Sequence, residues 1–190
     1  MDGILRKLPI GIQTFEKLRE GDYLYVDKTA LVWRIASTET PYFLSRPRRF
    51  GKSLLLSTFE AYFEGKKELF EGLVIADMEK EWKTYPLFHL DLNAEKYDSP
   101  QALVEILSRQ LTQWELKYGK GEDEETLSGR FAGVIRRACE QSGRGVVVLV
   151  DEYDKPLLQA LGDDALLDDY RKTLKAFYGV LKSSDRYLRF

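Results

Sequence analysis

Sulfur and imidazole are nearly missing from this 190-residue chain, which holds one cysteine, Cys139, and one histidine, His89. A single cysteine excludes a disulfide framework within the chain and any zinc or iron–sulfur site built on thiolates. A single histidine excludes a multi-histidine metal centre. Long hydrophobic runs are missing too. No apolar stretch approaches the ~18 residues that a membrane-spanning helix needs. The opening Met1-Asp2-Gly3-Ile4-Leu5-Arg6-Lys7 lacks the apolar core of a signal peptide. The chain is therefore expected in the cytoplasm, with no membrane partner. Nor is there an excess of one charge: 29 Lys and Arg stand against 31 Asp and Glu, a formal net charge of −2. Balanced charge gives no general attraction to nucleic acid, so any anion site must come from local basic clustering. What the chain does have is apolar material, 44% hydrophobic and 13% aromatic residues. That is enough for a sizeable core in one domain, or one domain with a small appendage, and too much for disorder.

Hydrophobic spacing predicts a helix near Thr14–Glu20, another over Lys28–Ser37 and a third over Lys52–Gly65, where Leu55, Leu56, Phe59 and Phe63 recur at helical intervals. Asp98-Ser99-Pro100 reads as a helix start, a capping side chain followed by proline at the first helical position. Leu103, Leu107, Leu111 and Trp114 mark its face. Leu127, Phe131, Val134 and Ala138 mark the next helix, closed by Gly143 and Gly145, and Leu167 to Leu181 a last long one. Strands are expected at Tyr23–Asp27, Tyr42–Ser45, Leu87–Leu92 and Val146–Val150, with another beginning at Tyr187–Phe190. Five consecutive aliphatics make Val146–Val150 fit for burial on both faces of a parallel sheet. Strands alternating with helices predict an α/β domain with a mostly parallel sheet.

The most informative segment is Ser45-Arg46-Pro47-Arg48-Arg49-Phe50-Gly51-Lys52-Ser53, between an expected strand and an expected helix. Gly51-Lys52-Ser53 is the second half of the phosphate-loop pattern G-x-x-x-x-G-K-[ST]. Gly51 lets the backbone approach a phosphate with no Cβ in the way. Successive amides and the helix N-terminus then face the anion. Lys52 would reach the β- and γ-phosphates, and the Ser53 hydroxyl would ligate Mg²⁺. The first glycine of the pattern is replaced by Arg46. The competing reading is a basic, solvated turn. Against it stand the flanking elements and the crowding of Arg46, Arg48, Arg49 and Lys52, which repel one another unless solvated or gathered round an anion.

Val146–Val150 runs directly into Asp151-Glu152, the form of a Walker B element. A parallel strand delivers such residues to the carboxyl edge of the sheet, where ligands bind. Asp151 would hold the magnesium shell, and Glu152 would orient or deprotonate the water attacking the γ-phosphate. The plainer reading is a core strand followed by an acidic turn. Its order after a Gly-Lys-Ser loop favours the nucleotide reading. Asp154 is expected to cap the following helix, and Tyr153 to pack beneath the site. Asp91 and Asn93 stand at the carboxyl end of their strand. His89 and Cys139 read as structural.

These stretches, with Leu8-Pro9-Ile10-Gly11-Ile12-Gln13-Thr14-Phe15 and Tyr23-Leu24-Tyr25-Val26-Asp27-Lys28-Thr29, resemble the AAA-ATPase-like family of bacterial and archaeal P-loop proteins. The resemblance implies a P-loop NTPase fold, a three-layer α/β/α sandwich, with ATP and Mg²⁺ as ligands. An arginine at the position of Arg46 is usual in that family. The resemblance makes residues 46–53 the phosphate site (Arg46, Pro47, Arg48, Arg49, Phe50, Gly51, Lys52 and Ser53), with Lys52 and Glu152 catalytic and Ser53 and Asp151 on the metal. It also places Tyr25 and Val26 in the adenine pocket. Residues 1–40 would pack on the nucleotide site, and residues 41–190 would form the core. Family members commonly continue into a sensor strand, a helical lid and a PD-(D/E)XK nuclease-like domain.

Function is expected to be Mg-dependent ATP hydrolysis driving a conformational switch. The alternatives are a nucleotide-binding interaction module without turnover and a nucleic-acid-associated ATPase of a nuclease-linked system. A protein partner or self-association goes with each. In this class of fold a fourth strand lies between the phosphate-loop strand and the Walker B strand. Tyr187–Phe190 is where it would begin, so the core is expected to be C-terminally incomplete and Val146–Val150 incompletely buried. Tyr187–Phe190 should then pair between the strands of Phe43 and Val148.

Overall fold

Short apolar patterns make the first helices short. In α1 (Phe15–Glu20) only Phe15 and Leu18 are buried, and Gly21 closes it. α2 (Thr29–Ala36) buries Thr29, Val32 and Ala36. α3 (Lys52–Phe63) starts after Gly51 and buries Phe59 and Phe63 on its last turns. α4 (Val74–Met78) is little more than one turn around Ile75. Beyond β1 (Leu87–Asp91) the elements lengthen. α5 (Pro100–Tyr118) begins with proline after Ser99, as the sequence predicts, although the Ser99 side chain makes no capping bond. α6 (Leu127–Ser142) is capped by Thr126, whose side chain accepts from the Gly129 N–H. β2 (Val147–Asp151), α7 (Lys155–Gln159) and α8 (Asp164–Ser183) complete the chain, α8 capped by Asp163. The computed structural model describes residues 6–38, 40–45, 47, 50–93 and 96–190. Among these, no helix is long and apolar enough to cross a membrane.

The chain folds as two compact units, Met1–Leu87 with Phe190, and Phe88–Arg189. The first is held by aromatic packing. Phe15 lies 4.8 Å from Phe70 and 5.4 Å from Tyr25, centroid to centroid. Phe190 stacks on Phe59 and Phe63 at 5.2 and 5.3 Å. In the second unit a row of rings runs from Phe88 through Trp114 and Phe131 to Phe177, the last pair parallel at 4.4 Å. This row ties β1, α5, α6 and α8 into one core.

Two ion pairs organise the α5–α6 hairpin. Arg130 and Glu115, each 8% exposed, form a bidentate pair at 2.8 and 2.7 Å. The rest of the guanidinium is used on the Ser108 hydroxyl and carbonyl and the Thr112 hydroxyl, so the buried charge is well satisfied. Arg137 donates to both oxygens of Glu124 and to the Gly119 carbonyl, closing the loop between the helices.

β1 and β2 are paired and parallel, so an α/β unit is present as expected. Three expected strands are not, Tyr187–Phe190 among them: Asp185–Tyr187 is a 3-10 turn and Leu188 makes an isolated bridge. Tyr23–Asp27 forms only an isolated parallel bridge, Lys7 to Tyr23. Residues 41–45 form no strand, and Phe43 is 69% exposed. The apolar run is there, but a strand exists only through its ladder, and a run of four residues carries too little local preference to form without one.

The C-terminal segment bridges β2 but does not lie between two strands, because the 41–45 run that should flank it forms none. The Val146 N–H donates to the Tyr187 carbonyl at 2.7 Å, and the Arg189 N–H donates to the Val146 carbonyl at 2.8 Å. The Asp151 carbonyl instead accepts from Leu92, just past β1. Bonding direction alternates along a strand, so positions 146 and 151 face opposite edges, and Leu188 lies on the edge of β2 away from β1. Gly145 makes this approach possible: a Cβ there would stand 3.0 Å from the backbone of Leu188 and Arg189. Burial along β2 alternates between buried and half-buried, so one face of the strand is covered more fully than the other.

Candidate functional site

Glycine is required at position 51 for conformation. Its φ of +73° lies in the left-handed region, while a Cβ there would meet no atom of the described residues within 4 Å. The turn it makes delivers Lys52 and Ser53 as the first two residues of α3. First-turn amides are those that helix geometry leaves without an intrahelical acceptor, and the aligned peptide dipoles add partial positive charge there. Open space beside Gly51, a lysine and a hydroxyl at a helix start form a cradle suited to a phosphate. Pro47 and Phe50 are exposed, Phe50 at 63%. Arg46, Arg48 and Arg49 lie outside the described residues.

Tyr25 and Val26 take different positions within the same unit. The Tyr25 ring packs edge-on against Phe15, and its hydroxyl shares a hydrogen bond with Thr58 on α3. Burial raises the Tyr25 phenol above its ordinary pKa, against the opposing effect of that bond. Thr58 is six residues beyond Lys52, about 9 Å along the helix axis. Val26 is 70% exposed. The next residue, Asp27, has a role that apolar periodicity does not reveal. Its Oδ1 accepts from the Thr29 N–H at 2.8 Å and the Thr29 hydroxyl at 2.6 Å, and its Oδ2 accepts from the Val74 N–H at 2.7 Å. One carboxylate therefore caps the first residue of both α2 and α4. Its pKa is lowered: burial pushes it up, but the bonds from Thr29 and Val74 outweigh that. The sequence signal was an Asp two residues ahead of a Thr at a helix start.

In the second unit, β2 ends on Asp151, 8% exposed, and Glu152 follows with a φ of +50°. That conformation is strained for a side chain other than Gly, Asn or Asp. The Glu152 N–H donates to Asp151 Oδ1 at 2.9 Å, and the Glu152 carbonyl accepts from the Lys155 N–H at 3.0 Å. The turn thus sets the direction of the Glu152 side chain apart from the strand alternation. Asp154 occupies the N-cap position of α7, as expected, without a side-chain capping bond. Tyr153 is 41% exposed. Beside this turn, the Asp91 Oδ1 accepts from the Asn93 N–H at 2.8 Å, and Asn93 is engaged by Lys155. Lys155 is the residue that sequence reasoning passed over, because nothing in its spacing links it to a strand sixty residues earlier.

The described oxygen donors, the Ser53 hydroxyl and the Asp151 carboxylate, are the hard ligands that magnesium takes. Asp151, nearly buried at a strand tip, keeps its carboxylate at a fixed place.

A family model described as "Predicted AAA-ATPase" matches residues 9–190. The chain is also similar to the "Uncharacterized protein in vnfD 5'region" of Azotobacter chroococcum mcd 1, with 42% identity over 186 residues, 97% of this chain and 36% of the relative. It therefore spans little more than a third of that curated relative's length. No solved structure matches it.

Proposed function

Because this chain belongs to the AAA-ATPase-like family of predicted ATPases, we propose that it binds Mg-ATP and hydrolyses it to ADP and phosphate. The observation that carries the reading is the start of α3: Gly51 in the left-handed region sets Lys52 and Ser53 on the first turn of a helix. In this reading residues 46–53 take the phosphates, with Lys52 on the β- and γ-oxygens. Ser53 and Asp151 hold the magnesium, which neutralises charge developing on the transferred phosphoryl group. Glu152 orients the attacking water or takes its proton. The P-loop three-layer architecture, and a switch driven by turnover, belong to the same proposal. The family match and the order of the two motifs support it.

Phosphate release measured with and without Mg²⁺, on the wild type and Glu152→Gln, tests the chemistry. The glutamine variant should keep Mg-ATP affinity and lose ~10²-fold in turnover, the scale of a lost general base. Wild-type turnover in the variant would assign the water to another group. Binding without phosphate release by the wild type would select a nucleotide-dependent switch instead.

A further inference from the structure

One side chain joins the carboxyl ends of the two strands. The Lys155 ammonium donates to the backbone carbonyl of Asn93 and, at 2.7 Å, to Asn93 Oδ1. Asn93 stands two residues past β1, and Lys155 is the first residue of α7, four past the end of β2. The other end of α7 is held as well, because Gln159 Oε1 accepts from the Tyr97 N–H at 3.0 Å. Tyr97, 2% exposed, is itself fixed by its hydroxyl on the Leu92 carbonyl at 2.8 Å. α7 is thus pinned at both ends to the connection leaving β1.

Between β2 and this pinned helix sits Glu152, in a backbone conformation that it does not favour by itself. Its carbonyl is held by the main-chain N–H of Lys155, the residue whose side chain is anchored on Asn93. The Lys155 backbone closes the turn, and the Lys155 side chain prevents the turn from relaxing. Without the ammonium, the turn keeps its bonds to Asp151 and to the Lys155 N–H but loses its tie to Asn93, and a relaxed φ at Glu152 would carry its carboxylate elsewhere.

We propose that Lys155 is a positioning residue for ATP hydrolysis: clamped on Asn93, it holds the 151–155 turn so that the Glu152 carboxylate keeps the direction needed to act on the attacking water. This rests on the ATPase reading above. A lysine engaged on Asn93 is distinguished from a phosphate ligand by its kinetic consequence. A positioning residue lowers kcat and leaves nucleotide affinity unchanged, whereas a phosphate ligand weakens binding as well.

The test is a double-mutant cycle in Mg-ATP turnover. Lys155→Met keeps the apolar stem and removes the ammonium, and Asn93→Ala removes one of its acceptors. Lys155→Met should lower kcat by ~10-fold or more, the scale seen when an outer-shell partner of a functional group is removed. Its calorimetric Kd for Mg-ATP should stay within about twofold of wild type. Asn93→Ala should lower kcat less, because the carbonyl remains, and the double variant should be no slower than Lys155→Met alone. Amide exchange at Lys155 should quicken in both single variants, a readout independent of turnover. An unchanged kcat in Lys155→Met, a rise in Kd matching the fall in kcat, or additive losses in the double variant would each overturn the assignment. If the wild type turns over and Lys155→Met equals it, only this assignment falls. A wild-type chain that releases no phosphate overturns the ATPase reading and the assignment together.

Discussion

Asp27 shows how one short side chain can order a whole unit. Its two oxygens hold the starts of α2 and α4, which are far apart in sequence. Removing an N-terminal cap costs roughly 0.5–2 kcal/mol. Asp27→Ala should therefore lower stability by about 1–3 kcal/mol, read as a shift of the urea midpoint with an unchanged slope. Asp27→Asn, which keeps an acceptor, should recover part of the loss. No shift in Asp27→Ala would mean that solvent replaces the carboxylate at both helix starts. At this scale the sequence was legible where chemistry demands a residue type. Gly51-Lys52-Ser53 and Asp151-Glu152 stand out without coordinates as a phosphate-loop pattern and an acidic strand end, and the structure puts the first at a helix start and the second where β2 ends. Lys155 and the second contact of Asp27 could not be read so, because Asn93 and Val74 lie more than forty residues away and an isolated Asp or Lys normally signals a solvated surface.

The α5–α6 hairpin carries the clearest energetics among the elements. Arg130→Met leaves Glu115 buried without its partner, and breaking such a pair costs about 3–5 kcal/mol. Arg130→Met with Glu115→Leu should cost much less than Arg130→Met alone, since no charge is then stranded. Equal loss in the single and double variants, measured by denaturant unfolding, would show that the pair contributes packing and not charge. The loop of the same hairpin supplies a pH dependence. The Arg137 guanidinium holds the Glu124 carboxyl below its ordinary pKa of 4.5, against partial burial and with help from the Gly121 N–H. A depressed folded pKa stabilises fully above the unfolded value and is lost as pH falls through the folded one. Thermal stability should therefore decline as pH drops below about 4.5, and Glu124→Gln should flatten that decline. A wild-type slope in the variant would place the acid sensitivity elsewhere. Long elements were legible because a helix with several turns repeats its apolar signal: α5, α6 and α8 all fall where spacing predicts. The five-residue α4 repeats nothing and was missed, and the equally short α7 was legible only through the capping position of Asp154. The 42–45 run was overread, because aliphatic content reports burial tendency but not the ladder partner that makes a strand.

At the level of the whole molecule, the phosphate cradle belongs to one compact unit and the acidic strand end to the other. The family match spans both units. The central claim is that Lys52, on the first turn of α3, holds ATP phosphates. Calorimetric titration of Mg-ATP into the wild type and Lys52→Ala tests it most directly. The account predicts measurable binding by the wild type and at least a tenfold weaker Kd for the variant, about 1.4 kcal/mol. Equal affinity in the two proteins would contradict it.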